Sequence, residues 1–166
     1  NPGDSLENIF LGGNANGINY NFGELEPGSI SGRVHLTDRQ GDCFSAEALN
    51  RPHGGVTVLL RDGQGNILKR TLTNTNGEYR FDNLAPGTYV IQEITPEGYI
   101  DGGDHIGTVA GVKVGVITEN DLISSITIAP GDQGVNYDFC EHEPSQLCGN
   151  VYHDENNNGL FDAGED

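Results

Sequence analysis

The sequence contains no methionine and no tryptophan and is poor in basic residues. Eight lysines and arginines stand against 25 aspartates and glutamates, which gives the 166-residue chain a formal net charge of −17. Proteins bind nucleic acids and anionic membranes largely through lysine and arginine, so this balance argues against both kinds of partner. It suits divalent cations, because they neutralise clustered carboxylates.

Long apolar runs are absent, and cysteines are few. No stretch reaches about 18 apolar residues, so the sequence predicts no membrane-spanning helix. No basic and then apolar leader follows Asn1, and we expect any export signal to lie outside this stretch. The three cysteines are an odd number, so at least one is unpaired or paired elsewhere. By contrast, 25 glycines and 7 prolines indicate many turns and little helix.

Residues 154–165 match the calcium-loop pattern D-x-[DN]-x-[DN]-G-x5-E at every position. Gly159 takes the sharp turn at the sixth position, and side-chain oxygens with one backbone carbonyl supply the oxygen ligands that Ca²⁺ prefers. The predicted ligands are Asp154, Asn156, Asn158, Leu160 (through its carbonyl), Asp162 and Glu165. Residues 147–153 are too few and too β-rich to form the entering helix of an EF-hand. The alternative is an Asn- and Gly-rich turn that only resembles the pattern.

The two ends of the chain repeat each other. Residues 19–34 align with residues 136–151 at an offset of 117, which places Asn19 on Asn136. The register extends backwards without a gap, so that Asp4 aligns with Asp121 and Ile9 with Ile126. A fixed period of this length predicts a tandem array of whole domains. We divide the chain into the last strands of one repeat (1–25), a complete repeat (28–140) and the first strand and calcium loop of the next (147–166).

The complete repeat has the pattern of β-structure throughout. Apolar and polar residues alternate over 30–36, which is typical of a strand with one buried face. Asn76-Gly77 is a strong hairpin-turn signal, and Pro86-Gly87 marks another tight turn. Further predicted strands cover 56–60, 67–73, 79–81, 88–94, 112–118, 122–128 and 135–139. Short strands at hairpin spacing predict an all-β fold, an antiparallel β-sandwich with almost no helix.

Several spaced motifs resemble the B-type repeats of bacterial surface proteins, which include SdrD-type B domains and collagen-adhesin B (CnaB-like) domains. The motifs are Gly54-Gly-Val-Thr-Val58, Thr73-Asn-Thr-Asn-Gly-Glu-Tyr-Arg-Phe-Asp-Asn-Leu-Ala-Pro-Gly-Thr-Tyr-Val-Ile91 and Pro96-Glu-Gly-Tyr99. The strand 149–154 with its following loop is similar to the start of an SdrD-type repeat. The signatures around Cys43 and Cys140 are closest to a variant found in large secreted proteins of planctomycete-like bacteria.

The resemblance implies a prealbumin-like or immunoglobulin-like β-sandwich strung in series as an extracellular or cell-surface stalk. It also implies that calcium stiffens the array. The family's sandwich brings the loop after the first strand near the end of the last strand, so the resemblance implies a Cys43–Cys140 disulfide. Cys140–Cys148 remains the rival pairing.

One chemistry of the family is missing its lysine. Many CnaB-like domains carry an isopeptide bond between a first-strand lysine and a last-strand Asn or Asp, here Asn136 or Asp138. The only lysines are Lys69 and Lys113, which we place on solvent-facing strand positions, so we expect no such bond. Glu93, at the position of the promoting acid, is interpreted as a rim carboxylate or as a relic acid that needs a hydrogen-bond partner.

Other acidic residues are weaker cation candidates. The insert that follows the first strand bears Asp38, Asp42 and Glu47, and it is either a solvated acidic loop or a second calcium site. Asp101-Gly-Gly-Asp104 is predicted to be a glycine-rich turn whose two carboxylates could bind a cation.

The sequence shows no Ser-His-Asp order, nucleophile elbow or phosphate loop, so we expect a non-enzymatic protein. The leading hypothesis is a structural repeat whose partners are adjacent repeats of the same polypeptide, with like chains in a fibre as further candidate partners. An adhesin module that binds a protein or glycan is the alternative. An accessory domain of a secreted enzyme is the third hypothesis.

Overall fold

The computed structural model describes residues 5–37 and 42–164, and within them the chain is built from short strands. The strands are β1 Gly28–Thr37, β2 Thr57–Asp62, β3 Ile67–Leu72, β4 Glu78–Leu84, β5 Gly87–Ile94, β6 Ile100–His105, β7 Thr108–Val109, β8 Val112–Lys113, β9 Val116–Glu119, β10 Leu122–Ile128, β11 Gln133–Val135 and β12 Asp138–His142. A single 3₁₀ turn, Ala48–Asn50, is the one helical element of the described residues. None of their helical structure has the length and apolar character to cross a membrane.

The strands form two sheets. The five-stranded sheet has the order β3-β2-β5-β10-β9, and the seven-stranded sheet runs β6-β12-β1-β11-β7-β8 with β4 paired to β1. Most pairs are antiparallel, but β1 pairs in parallel with both β11 and β12. The predicted all-β sandwich is therefore confirmed, with the first strand lying alongside the last two.

Alternating side chains of both sheets build the core. Its fully buried members include Ile30, Leu60, Ile91, Ile123, Ile126, Tyr137 and Phe139. The β1 backbone approaches the last strands so closely that a Cβ at Gly32 would lie 1.8 Å from the Tyr137 carbonyl oxygen. Only glycine fits this position, so its lack of a side chain allows β1 to lie against the end of the domain.

Three details of the predicted strands differ in the structure. The predicted strand 112–118 is divided into β8 and β9, and Gly115 between them has a φ of 131°. The predicted strand 135–139 is divided into β11 and β12 at Asn136, which has a φ of 61°. The prediction of a glycine-rich turn at 101–104 was wrong, because these residues form most of β6, which pairs with β12.

Gly102 explains why that strand carries a glycine pair. A Cβ at this position would lie 2.8 Å from the Cys140 carbonyl oxygen and 2.9 Å from the Cys43 Sγ atom. The glycine makes room for a disulfide between Cys43 and Cys140, whose Cα atoms are 5.8 Å apart. Cys148 is a free, exposed cysteine. The disulfide fastens the insert after β1 to β12.

The segments on either side of the sandwich contain no strand within the described residues, which here are 5–27 and 143–164. Every described residue from 5 to 27 is exposed, including the large apolar side chains of Phe10, Ile18 and Phe22. The sandwich core therefore forms without burying these side chains.

Deleting residues 1–25 is accordingly expected to change the free energy of unfolding of the sandwich by less than about 0.5 kcal/mol. Urea unfolding of the shortened and whole chains measures the difference. A loss of more than about 2 kcal/mol would mean that the segment packs on the sandwich.

Candidate metal centre

Five carboxylate side chains meet between the two sheets, near one end of the sandwich. Glu93 lies on β5 of one sheet, and Glu141 lies on β12 of the other. Asp101 and Asp104 lie on β6, where Asp101 is paired with Glu141. Asp121 lies in the turn between β9 and β10, and its carbonyl oxygen accepts the Glu93 backbone N–H at 2.9 Å. We call these five residues the carboxylate cluster.

The two glutamates of the cluster are buried without hydrogen-bond partners. Glu93 is 1% exposed and Glu141 is 0% exposed, and neither oxygen of either side chain has a partner. One oxygen each of Asp101, Asp104 and Asp121 is also buried and unpartnered. Arg33, Arg51 and Arg80 form ion pairs with acids outside the cluster, whereas the charge of His142 acts on Asp101. Burial of charged groups is costly unless an opposite charge compensates it, so this arrangement fits a bound cation.

The distances within the cluster suit Ca²⁺. One oxygen each of Glu93, Asp121 and Glu141 lies within 4.8 Å of the others, and the same holds for Asp101, Asp104 and Asp121. Calcium binds oxygen at about 2.3–2.6 Å, so ligands on opposite sides of one ion are about 4.6–5.2 Å apart. The donor set is made of carboxylates, which are the ligands that hard divalent cations prefer.

Burial is the main cause of the raised pKa values of Glu93, Asp101, Asp104 and Glu141. It raises the pKa of Glu93 to about 10, with a further contribution from the neighbouring Glu141 charge. Burial, with the charge of Asp121, raises the pKa of Glu141 to about 7 and that of Asp101 to about 6. The pKa of Asp104 rises to about 7, through burial and then the charges of Asp101 and Asp121. Without a cation, some of these carboxyl groups are therefore protonated, and the cluster carries less than its full negative charge.

The metal-free domain is therefore expected to lose stability as the pH rises from 7 to 9. The folded-state pKa of Glu93, about 10, exceeds its ordinary value of 4.5. Over that interval the folded state binds more protons than the unfolded state, and the free energy of unfolding falls with increasing pH. The lowered pKa values of His35 and His53 act in the opposite sense, but only below their ordinary value of 6.5.

Thermal unfolding in excess EDTA at both pH values checks this expectation. Glu93→Gln should make the stability depend less on pH, because it removes the group whose folded-state pKa lies furthest above its ordinary value. A wild-type melting temperature that rises between pH 7 and pH 9 would contradict the account.

The structure also brings together most of the predicted terminal calcium loop. The Asp154 carboxylate accepts the backbone N–H groups of Asn158 at 3.1 Å and Gly159 at 2.7 Å. Asp162 accepts the side-chain amides of Asn156 at 2.8 Å and Asn158 at 2.6 Å. These amides hold the pKa of Asp162 below its ordinary value, so its charged form is favoured.

Leu160 and Glu165 complete the predicted ligand set of the terminal loop. The Leu160 backbone N–H donates to the Asn158 side-chain oxygen at 2.7 Å, which continues the tight turn. Glu165 lies outside the described residues. Calcium binding by this loop stays a prediction.

Only some of the weaker cation candidates predicted from the sequence lie in a group of carboxylates. Asp101 and Asp104 belong to the carboxylate cluster. Asp42 caps its own turn by accepting the Phe44 N–H at 3.0 Å, and neither Asp42 nor Glu47 joins a described group of metal-ligating side chains. Asp38 lies outside the described residues.

The interpretation of Glu93 as a rim carboxylate was wrong. Glu93 follows Tyr89 and Ile91 on the buried face of β5, and it points between the sheets. The two lysines lie elsewhere: Lys69 on β3 donates to the Asp82 carbonyl, and Lys113 is exposed on β8.

Asp121 and Glu141 were missed by reasoning from sequence motifs, although a signal for both was present. At the offset of 117, Asp121 aligns with Asp4 and Glu141 with Glu24, so both acids recur near the start of the chain. Cys140 aligns with Gly23, so the disulfide does not recur. The acids therefore repeat independently of the crosslink beside them.

The chain is similar to one protein family and to surface proteins named for serine-aspartate repeats. The SdrD B-like domain family model matches residues 32–141. Serine-aspartate repeat-containing protein C of Staphylococcus aureus (strain Newman) is 33% identical over 111 residues, which are 67% of this chain and 11% of that protein. Serine-aspartate repeat-containing protein I of Staphylococcus saprophyticus is 57% identical over 44 residues, which are 26% of this chain and 2% of that protein. The chain thus spans a small part of the length of these relatives.

Two solved structures of pilins are also similar. GBS52, the minor pilin of Streptococcus agalactiae, is 17% identical with a TM-score of 0.49, covering 76% of this chain and 49% of its own. BcpA, the major pilin subunit of Bacillus cereus, is 20% identical with a TM-score of 0.39, covering 70% of this chain and 29% of its own. Because the family model spans most of the sandwich and most of the chain, the protein belongs to the SdrD B-like domain family.

Proposed function

We propose that the chain is a non-enzymatic module of an extracellular or cell-surface protein, and that calcium stiffens it. The observation that carries this proposal is the carboxylate cluster, in which Glu93 and Glu141 are buried without partners. A cation there would contact strands of both sheets at once. It would hold the sandwich rigid under load, as a stalk or fibre requires.

The flanking segments support an arrangement in tandem. Ile9, Tyr20 and Phe22 are 46%, 47% and 53% exposed. Their equivalents at the offset of 117 are Ile126, Tyr137 and Phe139, which are each 0% exposed in the core. A preceding repeat would bury the first set as its own last strands. We therefore assign residues 1–25 to a preceding repeat, 28–140 to the complete one and 147–166 to the following one.

The terminal loop extends the same role to the junction between repeats. It directly follows the segment 147–153, which would become the first strand of the next sandwich. The side-chain amides of Asn156 and Asn158 both donate to Asp162. Calcium would order these groups and so restrict the angle between successive repeats. Extracellular modules bind calcium with dissociation constants of about 10⁻⁴ to 10⁻³ M, which sets the concentrations a test requires.

Hydrogen exchange of the whole chain, with calcium or with EDTA, tests the proposal. We expect calcium to slow exchange in peptides that contain the carboxylate cluster and in peptides from 147–164. The paired change Asp154→Ala and Glu165→Ala should remove the second effect and retain the first. Equal exchange in calcium and EDTA throughout the chain would overturn the proposed function.

A further inference from the structure

We infer that the carboxylate cluster holds two divalent cations, an inner one and an outer one, with Asp121 as their shared ligand. This inference rests on the proposed calcium-binding function and specifies its site. The cluster resolves into two groups of three carboxylates, and Asp121 is the one residue common to both. Each group spans distances that suit one calcium ion.

The inner position lies among Glu93, Asp121 and Glu141, which are 1%, 9% and 0% exposed. Glu93 belongs to the five-stranded sheet and Glu141 to the seven-stranded sheet, so a cation here joins the two sheets. All four glutamate oxygens lack a hydrogen-bond partner. The inner ion therefore acts as an internal tie of the sandwich.

The outer position lies among Asp101, Asp104 and Asp121. One oxygen of Asp121 accepts the Thr95 hydroxyl at 2.5 Å, and one of Asp104 accepts the Asp121 N–H at 3.1 Å. The second oxygen of each is buried and unpartnered, as is one oxygen of Asp101. These hydrogen bonds fix the carboxylates and leave an oxygen of each to bind a cation. Asp101 and Asp104 are only half-buried, so the outer ion exchanges more readily.

The charge of the fully ionised cluster favours more than one cation. Five carboxylates carry five negative charges when all are ionised, so one Ca²⁺ leaves three uncompensated and two leave one. Arg33, Arg51 and Arg80 pair with acids outside the cluster, and the charge of His142 lowers the pKa of Asp101. Because uncompensated buried charge is costly, the second ion stabilises the fully ionised cluster.

Calcium stoichiometry, measured by titration calorimetry and equilibrium dialysis, tests the inference. All proteins carry Asp154→Ala, which removes the terminal loop from the count. We expect the parent protein to bind two ions, Glu93→Gln to retain only the outer one, and Asp104→Asn only the inner one. Asp121→Asn should weaken both by at least about a hundredfold, because both ions lose a charged ligand. Glu97→Gln, an exposed glutamate outside the cluster, is the matched control and should retain two.

Two other outcomes separate the possibilities. One ion in the parent, weakened equally by Glu93→Gln and Asp104→Asn, would overturn the two-ion inference but retain the proposed function. No ion in the parent would overturn the two-ion inference and also the part of the proposed function that rests on the cluster. Far-ultraviolet circular dichroism confirms that each variant is folded, and the isosteric amides resemble the protonated acids of the metal-free state.

Discussion

Replacing Asp121 by asparagine is expected to remove most of the stabilisation that calcium gives the sandwich. Asp121 is the carboxylate common to both groups of the cluster, and the amide supplies no negative charge. A ligand at 100 times its dissociation constant stabilises the folded state by about 2.7 kcal/mol for each site. We therefore expect the wild type to lose at least about 3 kcal/mol when EDTA replaces calcium, and the variant to lose almost nothing.

Thermal and urea unfolding in calcium and in EDTA measure this difference. Glu119→Gln is the matched control, since this exposed glutamate lies on β9 just before the same turn. It should keep the full response to calcium. If the Asp121→Asn protein responds to calcium as strongly as the wild type, calcium does not bind at the carboxylate cluster.

Loss of the Cys43–Cys140 disulfide is expected to have the largest effect on stability in the absence of metal. The bond closes a loop with a sequence separation of 97 residues. Constraint of the unfolded chain by a loop of this length contributes about 4–5 kcal/mol in the chain-entropy model. The double change Cys43→Ser and Cys140→Ser should lower the free energy of unfolding by about that amount.

The control for the disulfide is Cys148→Ser, which removes an exposed, free cysteine. This variant should unfold at the wild-type urea concentration. Mapping of the wild type under non-reducing conditions should recover a peptide that joins Cys43 to Cys140. A Cys140–Cys148 peptide in its place would support the rival pairing.

The strands were largely predictable from sequence because their signals are local. Alternation over 30–36 and the Asn76-Gly77 turn depend on neighbouring residues, and β1 and the β3–β4 turn lie where these signals place them. The division of 135–139 was not predictable in this way. It depends on the positive φ of Asn136 and on the close approach of β1 at Gly32.

The carboxylate cluster could not be predicted from spacing because the topology assembles it. Its members extend from Glu93 to Glu141 along the chain and come from three strands and a turn of two sheets. Glu93 shares its β5 face with the buried Ile91, so it lies on the inner side of the strand. Because the first strand has no lysine to crosslink, the sequence leaves a rim carboxylate or a relic acid as its two interpretations. The convergence of four further carboxylates supplies the reason for its burial.

The local composition around Asp101 and Asp104 led to the wrong secondary structure. The glycine pair between them suggested a turn, whereas Gly102 serves the contact with Cys140 and the Cys43 sulfur. The cation affinity suggested for these two residues arose from their carboxylates alone. Their place on β6, opposite β12, is what brings them to Asp121 and Glu141.

The central claim is that calcium lies among the buried carboxylates, and anomalous diffraction from crystals grown in calcium tests it most directly. The account predicts an anomalous peak bounded by Glu93, Asp121 and Glu141, with carboxylate oxygens about 2.3–2.6 Å from it. Difference density that shows no ion there, with Glu93 and Glu141 in direct contact through a shared proton, would contradict it.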